Sequence, residues 1–413
     1  MDSIKVINRN NEIVDLDFNR IKNRINKLID MEPKLRISSD IVAIKTISYL
    51  SELINTSDID NISANIAANM ITHHIDYDYL ASRIMISNLH KNTKDCYYET
   101  VKTINENMDN ILMDKLIKFA EVNIDFIKET IDYKKDYTFK YFGILVLIKS
   151  YLLKKDDNVF ERPQHMYMRV AIGLHLDQID TDGSTSEDVL EDIKKMYNLI
   201  SEGYYTHATP TLFNSGTNLS ALSSCFLLEA EDSVDGIYNT LRKCAFISKF
   251  SGGIGVHVSQ IRAKGSKIRT TGGVSEGLVK MLKVYDTMTN HMSQGGGKRK
   301  GSIAIYFELW HADVMELLDC ILPMSAGDES LLCRNLFFAA WIDDLFFERL
   351  EKAWTDRSND YYWSLFCPNI SKNLVNLYGD DFKQLYEKYE SEKMYIKQIN
   401  ILDIWYKILK VLE

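Results

Sequence analysis

The chain has 413 residues, 46% of them hydrophobic and 26% charged, with a formal net charge of −9. That length accommodates two or three domains with a sizeable core, and the acidic balance argues against a general nucleic-acid binder. No apolar run reaches about 18 residues, so no transmembrane helix is predicted, and MDSIKVINRNNE has no apolar signal core.

Residues 4–18 alternate in part around Asn10-Asn11, a pair suited to a hairpin turn. Helical periodicities follow at 20–31, 40–55 and 60–73. Residues 1–95 therefore read as a small unit of a hairpin followed by helices, and 76–150 remain mostly helical. Arg162-Pro163 breaks the pattern before MYMRVAIGLHL resumes a helix, and the polar stretch 177–188 reads as a surface loop. Val189, Leu190, Ile193, Met196, Tyr197 and Ile200 make one apolar helical face, which Gly203 is placed to end. Beyond 220, strand-like runs (CFLL, GIGVHVSQI, GSIAIYF) alternate with helical ones at 235–250, 277–292 and 311–320. That is the α/β alternation of a barrel or an open sheet. No repeat or low-complexity tract occurs.

The cysteines at 96, 225, 244, 320, 333 and 367 form no CxxC pair and no zinc spacing. No metal site is expected, and reduced thiols in a cytoplasmic compartment are the default. In LSSCFLL, Cys225 taken alone reads as packing, because a free cysteine is usually a small buried hydrophobe. SGGIGVHV at 251–258 lacks the third glycine of a dinucleotide fingerprint, and its glycines enter a strand. Close backbone approach explains Gly252, Gly253 and Gly255 better. HADVMELLD at 311–319 has no metal-ligand spacing and reads as a solvated face with an acid at a helix start. SQGGGKRKG at 293–301 is either an anion-holding loop or a soluble one. THATPTLFNSGT at 206–217 lines a polar pocket or caps a helix.

These motifs occur together and in a fixed order: ERPQHM from Glu161, HATPTLFNSGT, LSSCFLL, GGIGV, QGGGKRKG, LWH and WSLFCPN. With YDYLASRIMISNLHK at 77–91 and RPQHMYMRV at 162–170, they resemble the large subunit of class I ribonucleotide reductase, eukaryotic and viral type. The resemblance implies an N-terminal ATP cone (1–95), a helical domain (96–220) and the first part of a ten-stranded α/β barrel (221–413). It implies reduction of ribonucleoside diphosphates to deoxyribonucleoside diphosphates for DNA synthesis, under nucleotide control.

The cone residues that match are Asn8, Arg9, Val14, Asp15, Leu16, Asp17, Phe18, Asn19, Arg20, Thr56 and Asp60. Asn8 replaces a cation the family often has, which predicts weaker phosphate binding there. A second, specificity-effector site for a dNTP or ATP is implied at Asp232, Ser233, Val234, Lys249, Arg262, Arg269 and Thr270. Asp232 or Ser233 suits the cap of the helix beginning near 235. Gln294 and Arg299 match residues that contact the substrate base, while Thr209 and Ser224 match those holding its diphosphate and ribose.

Cys225 matches a reducing cysteine beneath the ribose, which moves it from packing to chemistry. The family's radical cysteine, in an Asn-x-Cys-x-Glu pattern, does not occur in the 413 residues. NILDIWYKILKVLE resembles a helix upstream of it. An N-terminal fragment is therefore expected, inactive alone. Its partners would be a C-terminal part, a radical-generating small subunit that carries the radical cofactor, a second copy across a two-fold axis, and thioredoxin or glutaredoxin. Neither membrane nor nucleic acid is an expected partner. The alternative is a non-catalytic nucleotide-sensing remnant that modulates another reductase.

Overall fold

The computed structural model describes residues 5–50, 53–219, 221–250, 252–293, 302–322, 332–356 and 361–412. They fall into two compact units, Met1–Leu222 and Ser223–Glu413.

The first unit opens with the expected hairpin. Lys5–Ile7 pairs antiparallel with Ile13–Asp15, and Asn11 takes the left-handed conformation its turn demands (φ 61°). Helix Phe18–Ile29 is capped by Asp17, whose carboxylate accepts from Asn19 N at 2.8 Å, and it buries Ile21, Ile25, Leu28 and Ile29. The periodicity at 40–55 stops early. The helix is Ser39–Ser48, and Leu53–Asn55 is instead a strand running parallel to Lys5–Ile7. The ladder hydrogen bonds offered by Lys5–Ile7 outweigh weak helical propensity at the end of a short helix. Thr56–Asn69 and Asp76–Asn92 complete this layer over a core containing Val42, Leu80 and Ile84.

A second core in the same unit gathers Phe119, Met166, Ile172, Ile193 and Tyr197. Helix Glu187–Ser201 is capped by Ser186, and Gly203 follows it with φ 79°, as its apolar face predicts. The ERPQHM stretch starts helix Pro163–Gly173 and has a structural job. Buried Arg169 donates to Glu161 Oε1 at 2.6 Å and to the carbonyls of Leu212 (3.0 Å) and Ser215 (2.7 Å). The motif therefore fixes the short helix Thr209–Asn214.

The second unit carries a four-stranded parallel sheet in chain order: Cys225–Glu229, Gly253–His257, Ser302–Glu308 and Phe337–Trp341. Helices Val234–Lys249, Gly277–Ser293 and Val314–Ile321 connect or follow these strands. Alternation divides the sheet into two faces. Ile254, Val256, Ile303, Ile305 and Phe307 pack into the core, whereas Leu227 (84% exposed), Phe337 (65%) and Trp341 (57%) stand on the other side. A separate antiparallel pair joins Tyr362–Leu365 to Lys397–Asn400.

Close approach does explain two of the three glycines. A Cβ on Gly252 would lie 2.5 Å from Ile247 and 2.9 Å from Phe226, and one on Gly255 would lie 2.9 Å from Leu227. At Gly253 the nearest atom, Ser224 O, is an ordinary 3.5 Å away.

The solvated-face reading of HADVMELLD fails at its first half. His311 and Asp313 are buried. His311 Nε2 donates to Ile261 O at 2.8 Å, Nδ1 accepts from Asp313 N at 3.1 Å, and burial pushes the imidazole below its ordinary range. Asp313 accepts from Lys264 N (3.1 Å) and Leu278 N (3.0 Å), so it caps helix Gly277–Ser293, an element distant in sequence. Helix position alone says nothing of which backbone amides lie opposite.

Candidate functional site

Three groups gather the residues of the expected sites. The first is a pocket of about 270 Å³ beside the hairpin. Asn8, Arg9, Val14, Asp15, Leu16, Asp17, Arg20 and Thr56 all line it, joined by Arg24, Ile59 and Lys91. Phe18 and Asn19 are the first two residues of the adjoining helix. Asp60 is only 1% exposed and pairs with Arg9 at 3.1 Å, with Lys91 at 3.8 Å and with Arg24.

Three cations thus face one carboxylate. Burial lowers Arg24 to about 10, aided by repulsion from Arg9. Burial likewise lowers Lys91 to about 8, with Arg24 and Arg9 adding to the effect. A pocket with excess, partly desolvated positive charge is stabilised by a bound anion. Asn8 plays another part: its Oδ1 accepts from Asn10 N (2.9 Å) and Glu12 N (3.0 Å), which forms the turn. Sequence reasoning missed Arg24 and Lys91. Lys91 ends the YDYLASRIMISNLHK motif, and its place in that motif was the available signal.

The second group surrounds Cys225. This residue opens its strand, is exposed, and stands opposite Gly253 in the register. Ser224 O accepts from Gly253 N at 2.7 Å, which fixes the chain just before the thiol. Ser224 Oγ lies 3.5 Å from Cys225 Sγ. By alternation Cys225 shares the sheet's uncovered face with Leu227. In the first unit, Thr209 begins its helix and its hydroxyl meets Tyr151 Oη at 3.1 Å. Tyr151 closes a π-helical turn, Leu147–Tyr151. Gln294 and Arg299 lie outside the described residues.

The third group lies between Asp232 and Thr270 of the second unit, where the specificity effector is expected. Ser233, not Asp232, caps helix Val234–Lys249, accepting from Gly236 N at 2.9 Å. Asp232 instead binds Arg262, through Nε at 2.8 Å and backbone N at 3.2 Å. Arg262 is thereby held in place, and its Nη1 also donates to Lys267 O. Arg269 and Thr270 are exposed in the turn that follows. Lys249 is exposed at the far end of the helix. Sixteen helical residues span roughly 24 Å, so Lys249 and Asp232 do not meet in one copy. Val234, Tyr238 and Phe246 leave an apolar stripe exposed on this helix.

Among the described residues no group of three or more potential metal ligands occurs, and no helix is long and apolar enough to cross a membrane.

Comparison with known families matches residues 4–92 to the ATP cone domain, 137–220 to the ribonucleotide reductase all-alpha domain and 223–412 to the ribonucleotide reductase barrel domain. These are the parts of one enzyme class, a nucleotide reductase with a cone, a helical domain and the start of a barrel. The chain belongs to the ribonucleotide reductase large-subunit family. It is similar to ribonucleoside-diphosphate reductase large subunits of Plasmodium falciparum (40% identical), Arabidopsis thaliana (42%) and variola virus (41%). The matches cover 98% of this chain and 48, 48 and 51% of those relatives, so the chain spans about half the length of the curated relatives it matches.

Proposed function

We propose that these residues supply the effector sites and one reducing thiol of a ribonucleoside-diphosphate reductase. In this reading 1–95 form the cone, 96–220 the helical domain and 221–413 the first part of the barrel. The observation that carries it is Cys225: an exposed thiol at the leading end of a parallel strand, beside a serine hydroxyl, on a sheet face left uncovered.

The net chemistry follows from that thiol. Replacing the ribose C2′–OH bond by C2′–H is a two-electron reduction. Two cysteines lose their S–H hydrogens and form one S–S bond, and the hydroxyl leaves as water. Cys225 supplies one of the two sulfurs and a proton for the departing hydroxyl. In this reading the second sulfur and the radical-forming cysteine come from a C-terminal part, in keeping with a chain that spans about half the length of its relatives. A small subunit starts the radical, and a thioredoxin- or glutaredoxin-type dithiol restores Cys225 by exchange. Thr209 and Ser224 hold the substrate diphosphate and ribose, and Gln294 and Arg299 contact its base. The setting is cytoplasmic.

Arg9, Arg24 and Lys91 take the phosphates of ATP or dATP in the cone, which offsets the missing cation at Asn8. The specificity effector sits near Asp232, Ser233, Val234, Arg262, Arg269 and Thr270 of one copy and Lys249 of another. The length of Val234–Lys249 favours that two-copy site, and the stripe of Val234, Tyr238 and Phe246 favours a homodimer. The reading is tested by converting labelled CDP to dCDP with a dithiol reductant. Turnover is expected when a C-terminal part and small subunit are added, and not from the 413 residues alone. Turnover by the 413 residues with the small subunit only overturns the division of labour.

A further inference from the structure

We infer that Cys320 and Cys333 form a modification site, a buried dithiol that a peroxide oxidant closes to a disulfide. Cys320 lies in the last turn of helix Val314–Ile321, and Cys333 lies in the segment leading to strand Phe337–Trp341. Each is only 3% exposed. Cys333 N donates to Cys320 O at 3.1 Å, and the two thiols hydrogen-bond to each other. A direct backbone hydrogen bond holds two Cα atoms roughly 5–6 Å apart, inside the ~4.4–6.8 Å that a disulfide requires.

The partner segment is also fixed from its other side. Leu332 O accepts from Lys283 Nζ at 2.5 Å, and Asp286 accepts from Asn335 N at 2.7 Å and Nδ2 at 3.3 Å. Helix Gly277–Ser293 therefore holds residues 332–335 against the end of helix Val314–Ile321.

The pair is electrically unequal. The hydrogen bond from Cys320 lowers Cys333, and the Lys283 cation adds to it, against burial and Asp286. The same bond, then burial, raises Cys320. Lys283 Nζ is tied to the adjoining Leu332 O, which keeps its cation beside Cys333, so Cys333 is the nucleophile and Cys320 the resolving thiol. The Cys333 thiolate attacks one peroxide oxygen. The O–O bond breaks, hydroxide leaves and takes a proton to become water, and Cys333 becomes a sulfenic acid. Cys320 then attacks that sulfur, and a second water departs as the S–S bond forms. Two thiols and one hydrogen peroxide give one disulfide and two waters. Two small thiols that only packed would show no such pairing on oxidation.

The test uses the full chain, reduced and then treated with hydrogen peroxide, denatured, alkylated and mapped by mass spectrometry. Trypsin leaves both cysteines in one peptide, residues 301–334. That peptide is expected two hydrogens lighter and unalkylated, and cleavage after Glu329 should leave its halves joined until a dithiol is added. In Cys320→Ser, which keeps a hydroxyl donor to Cys333 but has no sulfur to resolve it, Cys333 should accumulate as a sulfenic acid trapped by a 1,3-dione, whereas in Cys333→Ala, Cys320 should remain an alkylatable thiol. If the wild-type peptide stays alkylated at both positions while exposed Cys225 is already oxidised, the site does not exist. Peroxidation to sulfinic acid without a crosslink overturns it equally. The wild-type map decides the matter even if either variant fails to fold.

Discussion

Lys91 shows what a single residue contributes to the cone pocket. Its ammonium is held near a pKa of about 8 by burial and by Arg24 and Arg9. Below that value it is a cation available to a phosphate, and above it the charge is lost. Affinity for ATP or dATP should therefore fall as pH rises from 7 to 9, measured by titration calorimetry. A flat profile would show that Lys91 does not face the ligand. Arg24→Ala removes a charge-assisted contact worth about 1.5–3 kcal/mol, roughly tenfold to a hundredfold in affinity. Cys225→Ser should abolish multiple turnover in the reconstituted enzyme, since serine cannot form a disulfide. It should leave effector binding intact, because that segment is built from other residues. Sequence reasoning reached Arg9 and Asp60 but not Arg24 or Lys91. Nothing in local spacing reveals that the end of helix Asp76–Asn92 comes back to Asp60.

At the scale of elements, caps and clamps decide positions. Ser233→Ala should cost about 1 kcal/mol in denaturant unfolding, the usual worth of a lost N-cap. Arg169→Met should cost far more, about 3–5 kcal/mol, because it leaves Glu161 charged and buried without its partner. The same change releases Leu212 O and Ser215 O, so it should loosen Thr209–Asn214, read as faster amide exchange there. Tyr238→Glu on the exposed stripe should shift the chain toward monomer in sedimentation, and an unchanged dimer would move the interface elsewhere. The sequence located these helices to within a few residues, since apolar periodicity reports burial directly. It placed 40–55 in one helix because the strand at Leu53–Asn55 exists only through its pairing with Lys5–Ile7.

At the scale of the whole molecule, the second unit has an uncovered sheet face and two strands, Cys225–Glu229 and Phe337–Trp341, at the sheet's edges. Exposed edges and apolar faces invite pairing. Adding a C-terminal part should lower binding of a hydrophobic dye to these residues and raise their melting temperature. No change in either would mean that another surface receives it.

The sequence by itself determined the family and the α/β alternation of the second unit, since ordered motifs and period-two alternation are local properties of a chain. Tertiary structure alone decided that Asp313 caps a helix some 35 residues away, that Ser233 rather than Asp232 caps its own, and that Arg24 and Lys91 join Arg9 at Asp60. Each of these depends on which backbone amides or charges folding brings within hydrogen-bond reach, and such proximity between distant segments leaves no periodicity to read.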